Sequence, residues 1–530
     1  MDQLTLLFVV LLASILSVPV GSRLKLPPPV LMTLLGVALA VLPGVPEVRI
    51  EPELILPLVL PPLLYAAAQR TSWRQFRANA RPILLLAVAL VLVTTAAVAA
   101  AFSRLVPGVP LAAAVALGAL ISPPDPVAAT AVAGSVGLPR RLVSVLEGEG
   151  LFNDVTALVI YGVAIDAAVS HSFSTPVALG KLVLSAVIAL AIGWGLGWVS
   201  TRLMGLLGDA TLQVGLSLLV PFAAYAVADA LGGSGVLAVL VCALYLSENA
   251  GDADDVTYRL TGNAFWEVVE LLVTGTAFGL IGLELRTVLA SVGDHWTGMI
   301  GDAAVVVAVV VLVRLCWLLP ATYFSHRMDR GRHRTSEAEP VTWQESVVMW
   351  WSGMRGVASV ALVLAIPREI HNGQPFPERD RILFIAFCVV LFTLVVQGLT
   401  LPLLVRRLGV QADTDAEERA ERELWHRATT AGLNRLKELD ADEELPEELV
   451  ERLRRRQRDR LVRALPETYD ESQRAAARER IAFTRRFREV EQEMLSASRH
   501  EMQAARAEPG ADPELVDRVL RALDLRSAGR

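Results

Sequence analysis

Long apolar runs with few charges occupy the first three quarters of this chain. The 530 residues are 53% hydrophobic and 20% charged, and about half of the charged residues lie beyond residue 407. A helix needs about 17–25 mostly apolar residues to cross a bilayer. Because only helices and closed barrels satisfy their backbone hydrogen bonds in lipid, the runs predict an all-α polytopic membrane protein.

Thirteen apolar segments are expected to cross the membrane. Their predicted limits are 4–21, 28–44, 52–69, 82–103, 111–133, 142–167, 176–201, 211–230, 234–248, 265–284, 302–324, 343–366 and 382–405. Twelve spans are the alternative, because the second, third and ninth segments are short or contain proline. The start, Met1-Asp-Gln, lacks the basic region of a cleaved signal peptide, so the first span is expected to be retained.

Basic residues in the connections predict the orientation. With the N-terminus outside, the inside loops carry about twice as many basic residues as the outside loops, as the positive-inside rule requires. The inside set is Arg23, Lys25, Arg70, Arg74, Arg77, Arg81, Arg140, Arg141, Arg202, Arg259, Arg327, Arg330, Arg332 and Arg334, and the outside set is Arg49, Arg104, Lys181, Arg286, Arg368, Arg379 and Arg381. This predicts a multi-pass protein of the cell membrane with a cytoplasmic C-terminus.

The charged segment 408–530 is predicted to form soluble helices. Apolar residues recur at helical spacing over 421–439, 447–465 and 471–507, and a short last helix is expected after Asp512-Pro513. This tail is either a solvated appendage or a regulatory or dimer-contacting domain.

Two acidic clusters stand inside the apolar sequence. Ile121-Ser-Pro-Pro-Asp125-Pro-Val lies in the fifth span, and Glu147-Gly-Glu149-Gly-Leu-Phe-Asn153-Asp154 lies in the sixth. A carboxylate at the bilayer centre costs about 2.5–3.5 kcal/mol, so such residues usually serve an ion or proton path. The prolines also break the helix, which is tolerated only where the backbone is buried in protein or lines a cavity. Together these features predict a transporter.

Asp154 is the carboxylate predicted to carry the ion. It lies midway along the sixth span beside Asn153, and desolvation favours the neutral form of a buried carboxyl group. It can therefore hold a proton or a small cation, and competition of the two for one site is a complete exchange mechanism. The alternative is an aspartate fixed in a structural hydrogen-bond network. Gly150, one helical turn earlier, is expected to leave an open notch for a water or an ion.

Other charges are expected to support this site. Glu149 is free to pair with a cation elsewhere, and its candidate partners are Arg314 and Arg355. Arg314 is the only charge in its apolar run, whereas Arg355 lies in the Gly-rich segment 353–356 of the twelfth span. The alternative for each arginine is a helix end at the water interface. Asp125 is expected to compensate the positive end of a half-helix. The two broken spans run in opposite directions, as inverted repeats would produce.

In this order and spacing, the motifs resemble the electroneutral branch of the cation–proton antiporters, the sodium/proton exchangers. The resemblance covers residues 1–407 and also rests on Phe265-Trp-Glu, Gly279-Leu-Ile-Gly-Leu-Glu-Leu and Val396-Gln-Gly-Leu-Thr-Leu-Pro. It implies thirteen helices with inverted six-helix repeats and a crossing of two broken helices. It also implies a homodimer in the bilayer whose core moves against a dimerisation domain, as an elevator.

The resemblance further implies roles for single residues. Asp154, with Asn153, would bind Na⁺ and H⁺ alternately and one for one, and Asp125 would stabilise the crossing. Glu149 and Arg314 would form a buried ion pair, with Arg355 near the second break. The family commonly has Thr at the position of Pro124 and Ser at that of Gly150. Both changes remove hydroxyl oxygens, although the Pro124 carbonyl is kept as a ligand, so the choice among Na⁺, Li⁺ and K⁺ stays open.

Several alternatives compete with the sodium/proton exchanger. They are a K⁺/H⁺ antiporter of the same fold, a cation channel, and an intramembrane aspartyl protease using Asp125 and Asp154. Asn153, Arg314 and the number of spans argue against the protease. The sequence has no Gly-rich phosphate loop with Lys and Ser or Thr, so a secondary transporter without cofactor or nucleic acid is expected rather than an ATP-driven pump or an enzyme.

Overall fold

The computed structural model describes most of the chain, and its helices are numbered here in chain order. The described residues are 3–24, 26–42, 52–70, 80–170, 175–249, 256–293, 296–328, 342–371, 373–412, 414–443, 445–464, 470–506 and six residues between 515 and 522. Several predictions fall outside them, namely the loop residues Lys25, Arg49, Arg74, Arg77, Arg330, Arg332 and Arg334 and much of the last predicted helix.

The described part of the N-terminal three quarters is built from helices. They are α1 (Gln3–Leu24), α2 (Pro28–Val41), α3 (Pro52–Arg70), α4 (Ala80–Leu105), α5 (Leu111–Ile121), α6 (Pro126–Val136), α7 (Arg140–Ser170), α8 (Thr175–Leu206), α9 (Ala210–Ala230), α10 (Gly235–Asn249), α11 (Val256–Leu283), α12 (Leu285–Val292), α13 (Trp296–Met328), α14 (Trp343–Trp351), α15 (Val357–Leu364) and α16 (Arg379–Leu408). The all-α prediction is confirmed.

Each predicted span coincides with a helix or with a pair of half-helices. The fifth span is the interrupted pair α5 and α6, and the twelfth is α14 and α15, so both predicted breaks are confirmed. Nine helical segments of the described residues are long and apolar enough to cross a membrane, and α2 and α10 are shorter apolar helices. The count of thirteen spans therefore stays a prediction.

The membrane helices pack as two sets. Helices α1–α3 and α8–α11 contact mainly one another and form what we call the scaffold set. Helices α4–α7 and α13–α16 form the core set, which contains both broken spans. The core set thus combines predicted spans 4–6 with spans 11–13, and the broken span is the middle one of each three. This arrangement agrees with the inverted-repeat prediction.

The C-terminal tail forms a separate compact unit from Asp413 onward. It contains α17 (Thr414–Glu443), α18 (Glu447–Ala464) and α19 (Glu471–Arg506), which coincide with the three longer helices predicted there. Ion pairs join neighbouring helices, since Arg454 contacts Asp440 at 3.2 Å and Arg480 contacts Asp459 at 2.6 Å. The three hydrophilic helices of the tail therefore pack against one another as one unit.

Candidate functional site

The two helix breaks meet each other. The backbone N–H of Asp125, in the first break, donates to the carbonyl oxygen of Met354 in the second, at 2.6 Å. Gly356 lies so close to Asp125 that a Cβ atom at this position would overlap the carboxylate. Irregular backbone at membrane depth is thus buried in protein, which is the condition under which it is tolerated.

Asp125 caps the half-helices on both sides of the crossing. Its Oδ1 accepts from the backbone N–H of Val127 at 2.8 Å, in the first turn of α6. Its Oδ2 accepts from the backbone N–H of Val357 at 3.3 Å, at the start of α15. The first N–H groups of a helix have no partner within it and carry partial positive charge, so one carboxylate compensates two helix ends. Asp125 thus contacts the starts of two half-helices, one more than the sequence analysis considered.

Arg355 satisfies backbone carbonyls at the crossing. Its side chain is 2% exposed, with Nε donating to the Ile121 carbonyl at 2.9 Å and Nη2 to that of Ser122 at 3.2 Å. Nη1 donates to the Gly353 carbonyl. These carbonyls lie at helix ends, where the helix supplies no backbone N–H to them. The guanidinium therefore provides the missing donors. Arg355 is therefore buried and bonded to carbonyls, and within the described part of the chain its guanidinium makes no direct ion pair with Glu149.

Glu149 and Arg314 form a buried ion pair. Glu149 is 1% exposed and Arg314 2%, and the two side chains meet through two parallel hydrogen bonds, with Nη2 to Oε2 at 2.9 Å. Arg314 Nε also donates to the Met349 carbonyl at 3.2 Å. This is the pair that the family resemblance implies, and its bidentate geometry uses both carboxylate oxygens. Glu149 is therefore engaged with Arg314.

Asn153 ties the sixth span to the first break. Its Nδ2 donates to the Pro124 carbonyl at 2.8 Å, and the residue is fully buried. Its Oδ1 has no hydrogen-bond partner among the described residues. A buried amide oxygen without a donor is uncommon, so this atom is available to a ligand that the protein itself does not supply.

Asp154 and Asp125 line one small cavity. It has a volume of about 40 Å³, enough for a water molecule or a small cation. The core set contributes most of its wall, and α3 of the scaffold set closes it with Leu60, Leu63 and Leu64. No hydrogen bond to the Asp154 carboxylate is present within the described part of the chain. The structure therefore brings the predicted ion carrier to a confined site between the two helix sets.

Gly150 does not leave an open notch beside Asp154. The ring of Pro126 fills the space, and a Cβ atom on Gly150 would overlap it. The glycine instead allows α7 and the start of α6 to approach closely, a packing role that the helical spacing alone does not reveal. The prediction of a notch is wrong, because the neighbouring half-helix occupies that face.

Several residues of the site have weak signals in the sequence. Thr393 lies in a π-helical segment of α16, Phe392–Gln397, and its hydroxyl oxygen accepts from the Arg355 backbone N–H at 3.0 Å. The leucines of α3 and Ser359 of α15 line the cavity, yet nothing in their local sequence distinguishes them. A π-helical turn and contacts from a distant helix depend on tertiary packing, which apolar periodicity does not report.

A larger cavity of about 490 Å³ shares a wall residue with the small one. Val127 lines both cavities, and three glutamates, Glu147, Glu267 and Glu270, line the larger one. Its wall includes residues of α1, α2 and α11 from the scaffold set and of α6 and α7 from the core set. Two neighbouring cavities with acidic walls therefore lie between the same two helix sets.

Comparisons with known proteins agree with this architecture. The model of a family described as sodium/hydrogen exchanger, transmembrane, matches residues 8–407. A protein of Mycobacterium tuberculosis, named as an uncharacterized Na⁺/H⁺ exchanger, is 34% identical over 518 residues, covering 95% of this chain and 92% of the relative. A Bacillus pumilus protein named sodium, potassium, lithium and rubidium/H⁺ antiporter is 30% identical over 435 residues, covering 79% of this chain and 64% of the relative.

A solved structure shares the fold. The sodium/proton antiporter MjNhaP1 from Methanocaldococcus jannaschii superposes with a TM-score of 0.57 at 19% sequence identity. The superposition covers 76% of this chain and 98% of that protein. The predicted fold class is thereby confirmed.

Proposed function

The chain belongs to the sodium/hydrogen exchanger family, whose members are transporters rather than enzymes, and we propose that it exchanges Na⁺ for H⁺ at Asp154. The observation that carries this proposal is the small cavity at the crossing of the two breaks, which Asp125 and Asp154 share. It combines a carboxylate, a confined volume and a position between two helix sets. An ion exchanger needs these three features.

Asp154 is the carboxylate that alternates between the two ions. Both oxygens of Asp125 accept backbone N–H groups, and both oxygens of Glu149 are held by Arg314. Asp154 lacks such donors among the described residues, so its negative charge is best compensated by a bound cation or a bound proton. The Pro124 carbonyl and the unpartnered Oδ1 of Asn153 are the neighbouring oxygens proposed to complete the site.

One ion at a time makes the exchange electroneutral. When Asp154 binds Na⁺ or H⁺, the charge of the loaded site is the same in both states. The charges of Asp125, Glu149 and Arg314 stay fixed, since each is held by hydrogen bonds. A transport cycle that carries one Na⁺ in one direction and one H⁺ in the other therefore moves no net charge.

Alternating access is proposed to be a movement of the core set against the scaffold set. Each set packs mainly within itself, and the site lies at their boundary. The leucines of α3 close the small cavity, while the larger acidic cavity that shares Val127 with it offers cations an approach. We propose that the N-terminus lies outside and the C-terminus in the cytoplasm. We also propose a homodimer in the cell membrane, in which the scaffold sets of the two chains meet.

Na⁺ is the proposed cation because it is the ion in the description of the family. Li⁺ and K⁺ remain to be compared with it, since the Bacillus pumilus relative is named for four alkali cations. The K⁺/H⁺ antiporter, the channel and the protease have no observation in this structure that favours them.

The test is proton flux in proteoliposomes after addition of Na⁺, Li⁺ or K⁺, with wild type beside Asp154→Asn. The variant keeps the size and polarity of the side chain and removes its charge, so we expect cation-driven proton movement in wild type and none in the variant. The cation with the lowest half-saturating concentration is the preferred ion. Equal flux in both proteins would place the exchange site elsewhere, and no coupled flux with any cation would contradict the antiporter.

A further inference from the structure

A dehydrated cation in the small cavity needs several oxygen ligands. When a channel or transporter strips an ion of water, protein oxygens replace the hydration shell. The walls of this cavity are mostly apolar, formed by leucine, proline, valine and alanine side chains with the two aspartates. The site as proposed above therefore has few side-chain oxygens, and any further one on its wall bears on how tightly it holds an ion.

Ser359 supplies the only hydroxyl group among the residues that line this cavity. It lies in the first turn of α15, directly after the second break, and it is 2% exposed. Gly356, Val357 and Ala358, which precede it, line the same cavity. The broken helix therefore places Ser359 at the cavity that the two aspartates line.

The Ser359 hydroxyl has no hydrogen-bond partner within the part of the chain that the structure describes. Three other buried serines bond to a backbone carbonyl three or four residues earlier. Ser14 donates to Val10 at 2.8 Å, Ser217 to Val214 at 2.7 Å and Ser352 to Met349 at 3.0 Å. A buried hydroxyl ordinarily finds such a partner, so one that faces a cavity without a partner points to a ligand there.

We propose that Ser359 is a cation ligand that sets the affinity and the selectivity of the exchange site. This proposal rests on the exchange function proposed above. In the cation-loaded state the hydroxyl oxygen coordinates the ion, while its O–H donates to a carboxylate of the cavity. In the proton-loaded state the same oxygen accepts a hydrogen bond from the protonated Asp154.

The consequence is greatest for the smaller cations. Na⁺ and Li⁺ have smaller radii than K⁺ and so interact more strongly with each oxygen ligand. Their binding is therefore weakened more when one oxygen ligand is removed. Ser359→Ala is therefore expected to raise the half-saturating concentration of Na⁺ about tenfold and that of K⁺ by less.

The experiment compares wild type, Ser359→Ala, Ser359→Thr and Ser352→Ala in proteoliposomes over a range of Na⁺, Li⁺ and K⁺ concentrations. Ser359→Thr keeps the hydroxyl and should lie closer to wild type than Ser359→Ala does. Ser352 is the matched control, because it is as buried and lies at the same break, but its hydroxyl bonds to the Met349 carbonyl. Its alanine variant should keep the wild-type ratio of Na⁺ to K⁺ affinity.

The outcomes separate this proposal from the function on which it rests. An active wild type with the same Na⁺ affinity as Ser359→Ala would overturn the role of Ser359 alone. An equal change in ion preference in Ser352→Ala would overturn it too, since the effect would then come from packing. If Ser359→Ala does not fold, Ser359→Cys decides, because sulfur is a poor ligand for Na⁺ and the same loss is expected. A wild type without cation-driven flux would overturn both proposals.

Discussion

The pairing of Glu149 with Arg314 shows how single residues hold charge inside this protein. Each ion is desolvated, and their mutual attraction with two parallel hydrogen bonds offsets that cost. Removal of one partner leaves the other as an uncompensated buried charge. The pair is thus a structural element of the core set, distinct from the proposed exchange site.

We expect the single variants Arg314→Met and Glu149→Gln each to destabilise the protein by about 3–5 kcal/mol, because each leaves one buried charge without its partner. The double variant should be less destabilised than the sum of the two. Thermal unfolding in detergent measures this. Arg452→Gln in the tail is the control, since Arg452 pairs with Glu448 on the surface and such pairs contribute about 0–1 kcal/mol. A cost below about 1 kcal/mol for Arg314→Met would contradict the account.

The role of a single residue could be predicted where its type differs from that of its sequence neighbours, as a charge does in an apolar run. Arg314 is a lone charge in an apolar run, which made it one of two candidate partners of Glu149, and the family resemblance implied this pair. The open notch expected at Gly150 is absent, because Pro126 packs against this glycine. Helical spacing shows which residues share a face but not what packs against that face. Ser359 was not singled out, because a serine in a helix is ordinary until its surroundings are known.

The crossing of the two broken spans is the element on which the site depends. Asp125 connects the starts of α6 and α15, and Arg355 returns hydrogen bonds to carbonyls of both breaks. The prolines and glycines of the two segments predicted that these helices are interrupted. Their crossing was expected only from the family resemblance. The π-helical turn that holds Thr393 and the closure by α3 could not be predicted, since they arise between segments far apart in the sequence.

We expect Gly356→Ala to disrupt this crossing. The added Cβ atom overlaps the Asp125 carboxylate, so the variant should lose about 1–3 kcal/mol of stability and most of its exchange activity. Thermal unfolding and proton flux measure the two effects. Gly162→Ala is the control, because its Cβ meets no atom within 4 Å and alanine favours the helix. Wild-type flux in Gly356→Ala would show that the close approach to Asp125 is not required.

At the scale of the whole molecule, the chain combines a membrane unit with a separately folded tail. Hydropathy predicted this division near residue 407, and the structure divides the chain between Ala412 and Asp413. The family resemblance implied a core and a dimerisation domain, but hydropathy does not assign helices to a scaffold set and a core set, because both are built from equally apolar helices. The division into two sets depends on which helix faces pack together. The proposed movement takes place between these two sets.

The tail is proposed to regulate exchange. A chain truncated after Ala412 retains every residue of the site, so we expect antiport to persist while its dependence on cytoplasmic pH changes. Proton flux measured across a pH series in proteoliposomes tests this against the full chain. An unchanged pH profile and maximal rate would favour the alternative, in which the tail is a solvated appendage.

The central claim is that a cation and a proton compete for Asp154, and proton release on cation binding tests it most directly. The purified protein in weakly buffered detergent is mixed with Na⁺, and a pH-sensitive dye reports the protons released. We predict about one proton per chain for wild type in the pH range where the site is protonated, and none for Asp154→Asn. Binding of Na⁺ by wild type, seen as thermal stabilisation, without proton release would contradict the claim, as would equal release by the variant.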